Sequence, residues 1–328
     1  MHRRTLGNSG LAITAIGLGT WAIGGGDWVF GWGPQRDADS LATIRRAIDA
    51  GINWIDTAAA YGLGHAETIV GRALRGLRAG ERPYAFTQCS LVWDDLGNVS
   101  PSLAPRSIRR EAEASLQRLG VDCIDVYQLG WPAAPNHASA RRRDSLGEAW
   151  SAMAALQREG KVRAIGVANC DVDELDDLRR IAAVASLQVP YSLLLRRIER
   201  RTLAYCERHA IGVIACSTLG AGLLTGHMTR DRVAALPHND WRRRSPSFQD
   251  PGLSDAQCAV ERLQSVALRS ARTASDVAVA WTLRNPAVTA AAVGLRQPQQ
   301  VDEIAGAASF LLSDADIKDL EDDAHDYG

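Results

Sequence analysis

The sequence predicts a closed (β/α)8 TIM barrel, with an N-terminal β-hairpin and extended βα loops, as a single domain over residues 1–328. Three observations predict it. Eight short apolar runs recur from end to end, longer amphipathic stretches separate them, and the runs are nearly continuous rather than alternating. Strands covered by helices on both faces read that way, and eight parallel strands close a barrel. With 328 residues, 46% of them hydrophobic, the chain has enough apolar surface to bury such a core.

Taken in order, "RTLGNSGLAIT" is predicted as a hairpin turning at Gly7–Gly10, ahead of the first barrel strand "AIGLG" (15–19). The other strands are predicted as "NWID" (53–56), "YAFTQ" (84–88), "IDVYQ" (124–128), "VRAIGV" (162–167), "SLQV" (186–189), "GVIAC" (212–216) and "AAAV" (290–293). Between them lie helical patterns such as "DSLATIRRAIDAG", "SIRREAEASLQRLG" and "SLGEAWSAMAALQREG". Each of these three ends in glycine, the residue that stops a helix in the left-handed conformation. "SIRRE" reads as a serine-capped start. An open doubly wound sheet would require a G-x-G-x-x-G turn running into a helix. "GLGTWAIGGG" lacks that continuation, so the closed barrel is preferred.

Two stretches are long for simple connections. Residues 20–36 set Trp21, Trp28, Phe30 and Trp32 among glycines after the first strand, and residues 225–255 form a polar, proline-bearing segment after the seventh. Both follow strand C-termini, the end at which barrel enzymes place their chemistry.

Bulk properties exclude several functions. Net charge is −1, which gives no electrostatic case for nucleic acid or an anionic membrane. No apolar run approaches the roughly 20 residues of a membrane-spanning helix. "MHRRTLGNSG" lacks the apolar stretch of a secretory signal, so a cytoplasmic location is expected. Six scattered cysteines without C-x-x-C spacing are expected to be reduced, and no metal site is expected.

The second strand ends in "NWIDTAAAYG". Asp56 is a carboxylate closing an apolar strand and must be hydrogen-bonded to be tolerated there. Tyr61, five residues on, is a candidate proton donor. At the fourth strand, "DVYQLGWP" passes from Leu129 to a residue without a side chain, Gly130.

The chain resembles the aldo-keto reductase superfamily, in its bacterial barrel branch, over nearly its full length. The resemblance rests on "RTLGNSGLAITAIGLGTW", "GINWIDTAAAYGLGHAETIVGRAL", "EASLQRLGVDCIDVYQLGWP", "LQREGKVRAIGVAN", "LQVPYSLL", "GVIACSTLGAGLLTG" and "DVAVAWTLRNPAVTAAAVGLRQPQQVDE". It implies an NADP(H)-dependent oxidoreductase acting on a carbonyl or hydroxyl group of an apolar or aromatic small molecule. It assigns Asp56 and Tyr61 to a four-residue proton machinery. The lysine of that machinery corresponds to Gln88 in "AFTQCS" and its histidine to Gly130 in "YQLGWP", so the tetrad reads as degenerate. Lys161 and Lys318, the only lysines, fall elsewhere. A neighbouring cation lowers a phenol's pKa, and without one Tyr61 is expected to be a poorer acid. His65 and His137 are the loop histidines considered for the space at Gly130.

The resemblance further implies that Asn169 and Gln188 hold the nicotinamide carboxamide. Thr20, Trp21, Cys216, Ser217, Leu219, Gly222 and Leu224 would surround the rest of the cofactor, and Arg296 and Gln300 would meet its 2′-phosphate end. The stacking tyrosine of the family is replaced by Cys216, and the asparagine at the adenine by Ile304. Trp28, Trp93 and Trp131 are expected to wall a flat or apolar substrate. The alternative on the same fold is non-redox chemistry (dehydration, elimination, isomerisation or cyclisation) with Asp56 and Tyr61 as base and acid. The oligomeric state is not legible in the sequence.

Overall fold

The computed structural model describes residues 2–26, 28–78, 80–130 and 140–322. Trp131 and His137 lie outside the described residues.

Eight parallel strands close a barrel. In chain order they are β3 (Ile16–Gly19), β4 (Trp54–Asp56), β5 (Tyr84–Cys89), β8 (Ile124–Leu129), β9 (Val162–Ala168), β10 (Ser186–Pro190), β11 (Gly212–Cys216) and β12 (Val288–Gly294). Each coincides with a predicted run to within two residues. β12 pairs with β3 from Ala291↔Ile16 to Gly294↔Gly19, which closes the ring. An antiparallel pair, β1 (Arg3–Thr5) and β2 (Ala12–Thr14), precedes the barrel as the predicted hairpin.

The period of two along each strand divides the core. Trp54, Phe86, Val126, Ala164, Ile214, Ala290 and Ala292 cluster with Leu6, Leu11 and Ile13 of the hairpin, which plugs the barrel from its N-terminal end. Ile55, Tyr127, Ile165, Leu187, Val213 and Val293 belong to the outer cluster between sheet and helices. Trp54 is fully buried, packs on Phe86 at 5.1 Å and donates its indole N–H to Thr14 O. Gly17 makes room for it, since a Cβ there would lie 2.1 Å from the indole. Truncating Trp54 to alanine would cost about 3–5 kcal/mol.

Helices surround the sheet, among them α1 (Asp37–Asp49), α2 (His65–Leu74), α3 (Pro105–Leu119), α4 (Ala140–Arg158), α5 (Val172–Arg179), α6 (Thr202–Arg208), α8 (Gly252–Ser270) and α9 (Ala274–Leu283). Asp171 and Glu174 form a capping box on α5. The serine cap expected for α3 is corrected. That helix begins at Pro105, whose fixed φ suits a first turn, and Ser107 instead bonds the Glu111 carboxylate from within the helix.

Segment 225–255 is more ordered than its composition suggests, with α7 (Arg230–Ala234) and two short 3-10 turns. After β5 the chain adds a second hairpin, β6 (Leu91–Trp93) with β7 (Val99–Pro101), which the sequence reading missed. Two further helices, α10 (Pro298–Ile304) and α11 (Asp314–Glu321), follow β12.

Candidate active site

At the C-terminal mouth the inward positions turn polar. Asp56, Gln88, Gln128 and Gln188 lie one step of the pleat above the layer of Trp54 and Phe86. Gln188 is the hub. Its Oε1 accepts from Gln88 Nε2 at 2.8 Å and from Gln128 Nε2 at 2.6 Å, and its own Nε2 donates to Asp56 Oδ2 at 3.1 Å. Gln128 Nε2 also reaches Asp56 Oδ1, at 3.4 Å. The Asp56 main-chain carbonyl accepts from both the N–H and the hydroxyl of Thr20.

Asp56 is only 3% exposed, and no lysine, arginine or histidine pairs with it among the described residues. Burial pushes its carboxyl up to about 7, against the lowering effect of hydrogen bonds from Gln188 and Gln88. Burial, followed by the charge of Asp56, pushes the Tyr61 phenol well above its usual range. The same two causes push the Cys216 thiol up to about 12, so this cysteine is no ready nucleophile.

These side chains border a cavity of about 520 Å³ lined by Gly19, Trp21, Trp32, Asp56, Tyr61, Gln88, Asn169, Cys216, Ser217 and Leu219, and farther out by Arg232, Arg242, Arg296, Gln300, Glu303 and Ile304. Local backbone explains several choices. Asn169 has φ +57°, a conformation asparagine tolerates better than most residues. Ser217, Ala221 and Gly222 are also left-handed, which curls the turn after β11 around the cavity. Such alternation turns main-chain N–H groups toward a bound anion.

The first loop folds over this mouth. Gly24 and Gly62 let its backbone lie against that of the tyrosine loop, for a Cβ on Gly62 would sit 2.3 Å from Gly24 O. The Trp21 ring lies near-parallel to Tyr61 at 6.2 Å and stacks on Trp241 at 5.2 Å. Trp32 pairs with Asp240 as an isolated antiparallel bridge, and Trp241 N donates to Gly31 O. Arg242 is buried, holds Asp240 at 2.6 Å and places its guanidinium over the Trp32 ring at 4.5 Å. Sequence reasoning missed Asp240, Trp241 and Arg242. The available signal was a tryptophan set between charges, "NDWRRR", in an otherwise polar loop.

Other predicted site residues fall differently. Trp28 is buried against Phe30 beneath Tyr61, and Trp93 lies on the β6–β7 hairpin beside Arg118 at 5.9 Å; neither lines the cavity. The expected substrate wall is corrected for these two residues, which pack on Phe30 and Tyr61 and on Arg118 instead. Thr20 and Leu224 are fully buried behind the lining rather than in it. Gln188 lines the cavity, but its amide is committed to Asp56, Gln88 and Gln128. Arg296 is bound to the first loop, donating to Trp32 O, Pro34 O and Gln35 Oε1. Gln300 accepts from the main-chain N–H groups of Arg296 and Gln297. His65 is turned outward to Asp37 at 3.0 Å, and Lys161 pairs with Glu113. Gly130 follows β8, where a Cβ would lie 3.2 Å from Gln88 Oε1.

A closed parallel barrel with an acid, a phenol and a long cavity at its C-terminal mouth defines an enzyme of the barrel class. More narrowly, residues 15–323 match the model of the aldo/keto reductase family, and the chain belongs to that family. Aldo-keto reductases are oxidoreductases that use nicotinamide cofactors. The chain is 34% identical to "Aldo-keto reductase YhdN" of Bacillus subtilis (strain 168), over 98% of this chain and 92% of that one. It is 35% identical to "NADH-specific methylglyoxal reductase" of Escherichia coli (strain K12), over 96% of each. Among solved structures it is similar to the glycerol dehydrogenase AKR11B4 from Gluconobacter oxydans, with TM-score 0.82 and 34% identity over 98% of this chain and 94% of that one.

The donor set fits a dinucleotide. A left-handed turn of backbone flanks the middle of the cavity, and its far end carries Arg232 and Arg296, two guanidiniums with no carboxylate partner among the described residues. Among the described residues no cluster of histidine, cysteine or carboxylate groups could hold a metal ion, and no helix is long and apolar enough to cross a membrane.

Proposed function

We propose that the protein is an NADP(H)-dependent oxidoreductase that reduces the carbonyl of a small apolar or aromatic molecule with a degenerate tetrad, in which Gln88 and Gly130 stand at the lysine and histidine positions. The observation that carries this reading is the cavity itself. It runs from Asp56 and Tyr61 to two guanidiniums without a carboxylate partner among the described residues, which favours a cofactor with an extra phosphate over one without it. When bound, the cofactor would supply a hydride to the substrate carbon.

Asn169 would hold the carboxamide, because Gln188 is already committed to Asp56. Ser217, Leu219 and Gly222 would border the pyrophosphate, and Arg232, with Arg296 and Gln300, the 2′-phosphate end. Tyr61 remains a protonated phenol at every working pH, so it donates to the substrate oxygen as negative charge develops there. Trp21 and Trp32 would cover the reacting end and exclude water. With no ammonium or imidazole beside it among the described residues, Tyr61 is a weak acid and turnover is expected to be slow.

The test is to titrate NADPH by its fluorescence and then assay aldehydes and quinones. Saturable binding and turnover that Tyr61→Phe reduces by about 10²–10³-fold support the proposal. Gln88→Lys combined with Gly130→His should raise carbonyl reduction. A folded, NADPH-binding double variant with no gain would refute the positional assignment.

One observation favours a second reading, non-redox acid–base chemistry. A carboxyl with a pKa of about 7 is poised to act as a general base. Substrate consumed without any cofactor would select that reading.

A further inference from the structure

We infer that Gln88 recognises the substrate's reacting oxygen, and that a reversible chain of side-chain amides (Gln128, Gln188, Gln88) matches it to a carbonyl or a hydroxyl according to the proton on Asp56. The inference rests on the oxidoreductase reading of the same cavity and names a recognition device within it.

The hydrogen bonds have one polarity. Gln188 Nε2 and Gln128 Nε2 both point at Asp56, and Gln88 Nε2 points at Gln188 Oε1. This arrangement suits an ionised carboxylate, which only accepts. It leaves two marks. Gln128 is fully buried, yet its Oε1 has no hydrogen-bond partner. Gln88, half-buried in the cavity lining, turns its Oε1 toward Gly130. A buried unsatisfied acceptor is costly, and it calls for an explanation.

Protonating Asp56 supplies that acceptor with a donor. A carboxylic acid must donate its O–H, and with the proton on Oδ2 the nearest amide is that of Gln188, which turns over so that its Oε1 accepts. Gln188 Nε2 then faces Gln128 and Gln88, and both turn in step to present oxygen to it. Gln128 Oε1 gains its donor in this way. The only covalent change is one proton taken from solvent onto Asp56.

At the cavity, the result is a reversal. With Asp56 ionised, Gln88 presents an oxygen in the space beside Gly130, which accepts from an alcohol. With Asp56 protonated, Gln88 presents N–H there, which donates to a carbonyl. A side chain at Gly130 would fill this space, so its absence is part of the device. The groups facing Asp56 are Tyr61 from its own loop, Gln88 from β5, Gln128 from β8, Gln188 from β10 and Cys216 from β11. Among the described residues none of these is cationic, and Tyr61 and Cys216 both stay neutral near pH 7, so the proton exchanges on Asp56 alone.

The decisive experiment is a pH titration of the cofactor-free protein labelled with ¹⁵N-glutamine, following the side-chain NH₂ resonances of Gln88, Gln128 and Gln188. All three are expected to move with one common midpoint near neutrality and to be flat in Asp56→Asn. A Gln88 resonance that stays still while Asp56 titrates, or that moves equally in Asp56→Asn, overturns the inference. With cofactor, kcat/KM for carbonyl reduction should fall, and that for alcohol oxidation rise, through the same midpoint. Gln88→Leu should lower both by about 10-fold or more and remove their opposed pH dependence. Gln128→Leu, which removes a donor to the ionised carboxylate, should move the midpoint to higher pH. Coupled resonances in a protein that turns over no carbonyl would leave the amide chain standing and defeat the oxidoreductase reading. Turnover with an uncoupled Gln88 would do the reverse.

Discussion

Trp241 stacks on Trp21 with 5.2 Å between ring centroids and 14° between planes. One residue comes from the segment after the seventh barrel strand and the other from the loop after the first, so this contact joins the two long insertions across the mouth of the cavity. An aromatic pair of this kind contributes about 0.5–1.5 kcal/mol beyond its burial.

Trp241→Ala should therefore weaken cofactor binding by about 3–10-fold while leaving the barrel folded. Fluorescence titration of NADPH measures it directly. An unchanged Kd, with unchanged thermal stability, would mean that the two insertions do not act as a cover.

The Asp56 carboxyl sets a pH dependence of stability. Its ordinary value is 3.8 and its folded value about 7, so between these the folded state holds a proton that the unfolded chain has released. Stability contributed by this group is full below about pH 4 and declines as pH rises toward 7. Asp56→Asn, a mimic of the protonated acid, should stabilise the protein by about 2–4 kcal/mol at pH 8 and by little at pH 4. Denaturant unfolding at the two pH values checks this; a variant less stable than the parent at pH 8 would contradict the burial argument.

Arg232 and Arg296 should separate by cofactor. Arg232 has no carboxylate or first-loop partner among the described residues, so Arg232→Ala should weaken NADPH binding by about 10-fold and NADH binding hardly at all. Arg296 also anchors residues 32–35, so Arg296→Ala should weaken both and lower the melting temperature. Equal affinity of the parent for the two cofactors would remove the case for a 2′-phosphate site.

Gly130 tolerates little beside Gln88. A Cβ would come within 3.0 Å of Cys89 O and 3.2 Å of Gln88 Oε1, tighter than ordinary contact. Gly130→Ala should cost about 1–2 kcal/mol by overpacking, and Gln88→Ala in the same chain should recover the part due to the Gln88 side chain. Thermal melts of the two single variants and the double variant check the coupling. Strict additivity would place Gln88 away from that space.

Sequence alone determined the barrel and the position of its strands. A strand buried on both faces must be apolar along its length, and eight such runs without a G-x-G-x-x-G turn favour closure. It also determined which side chains reach the mouth, because Asp56, Gln88, Gln188 and Cys216 each stand at the end of a run. Tertiary structure decided what those side chains touch. Gln188 was read as a cofactor ligand and Gln128 as a strand residue, yet two of their amides meet one carboxylate from strands 72 and 132 positions away in the chain. Arg296 was read as a phosphate ligand, yet it also ties down a loop some 260 residues earlier. Strand patterning is local, carried by the period of the pleat, and so it can be read along the chain. Hydrogen-bond partners across a barrel are chosen by closure of the sheet, which brings together residues whose spacing in sequence carries no trace of their contact.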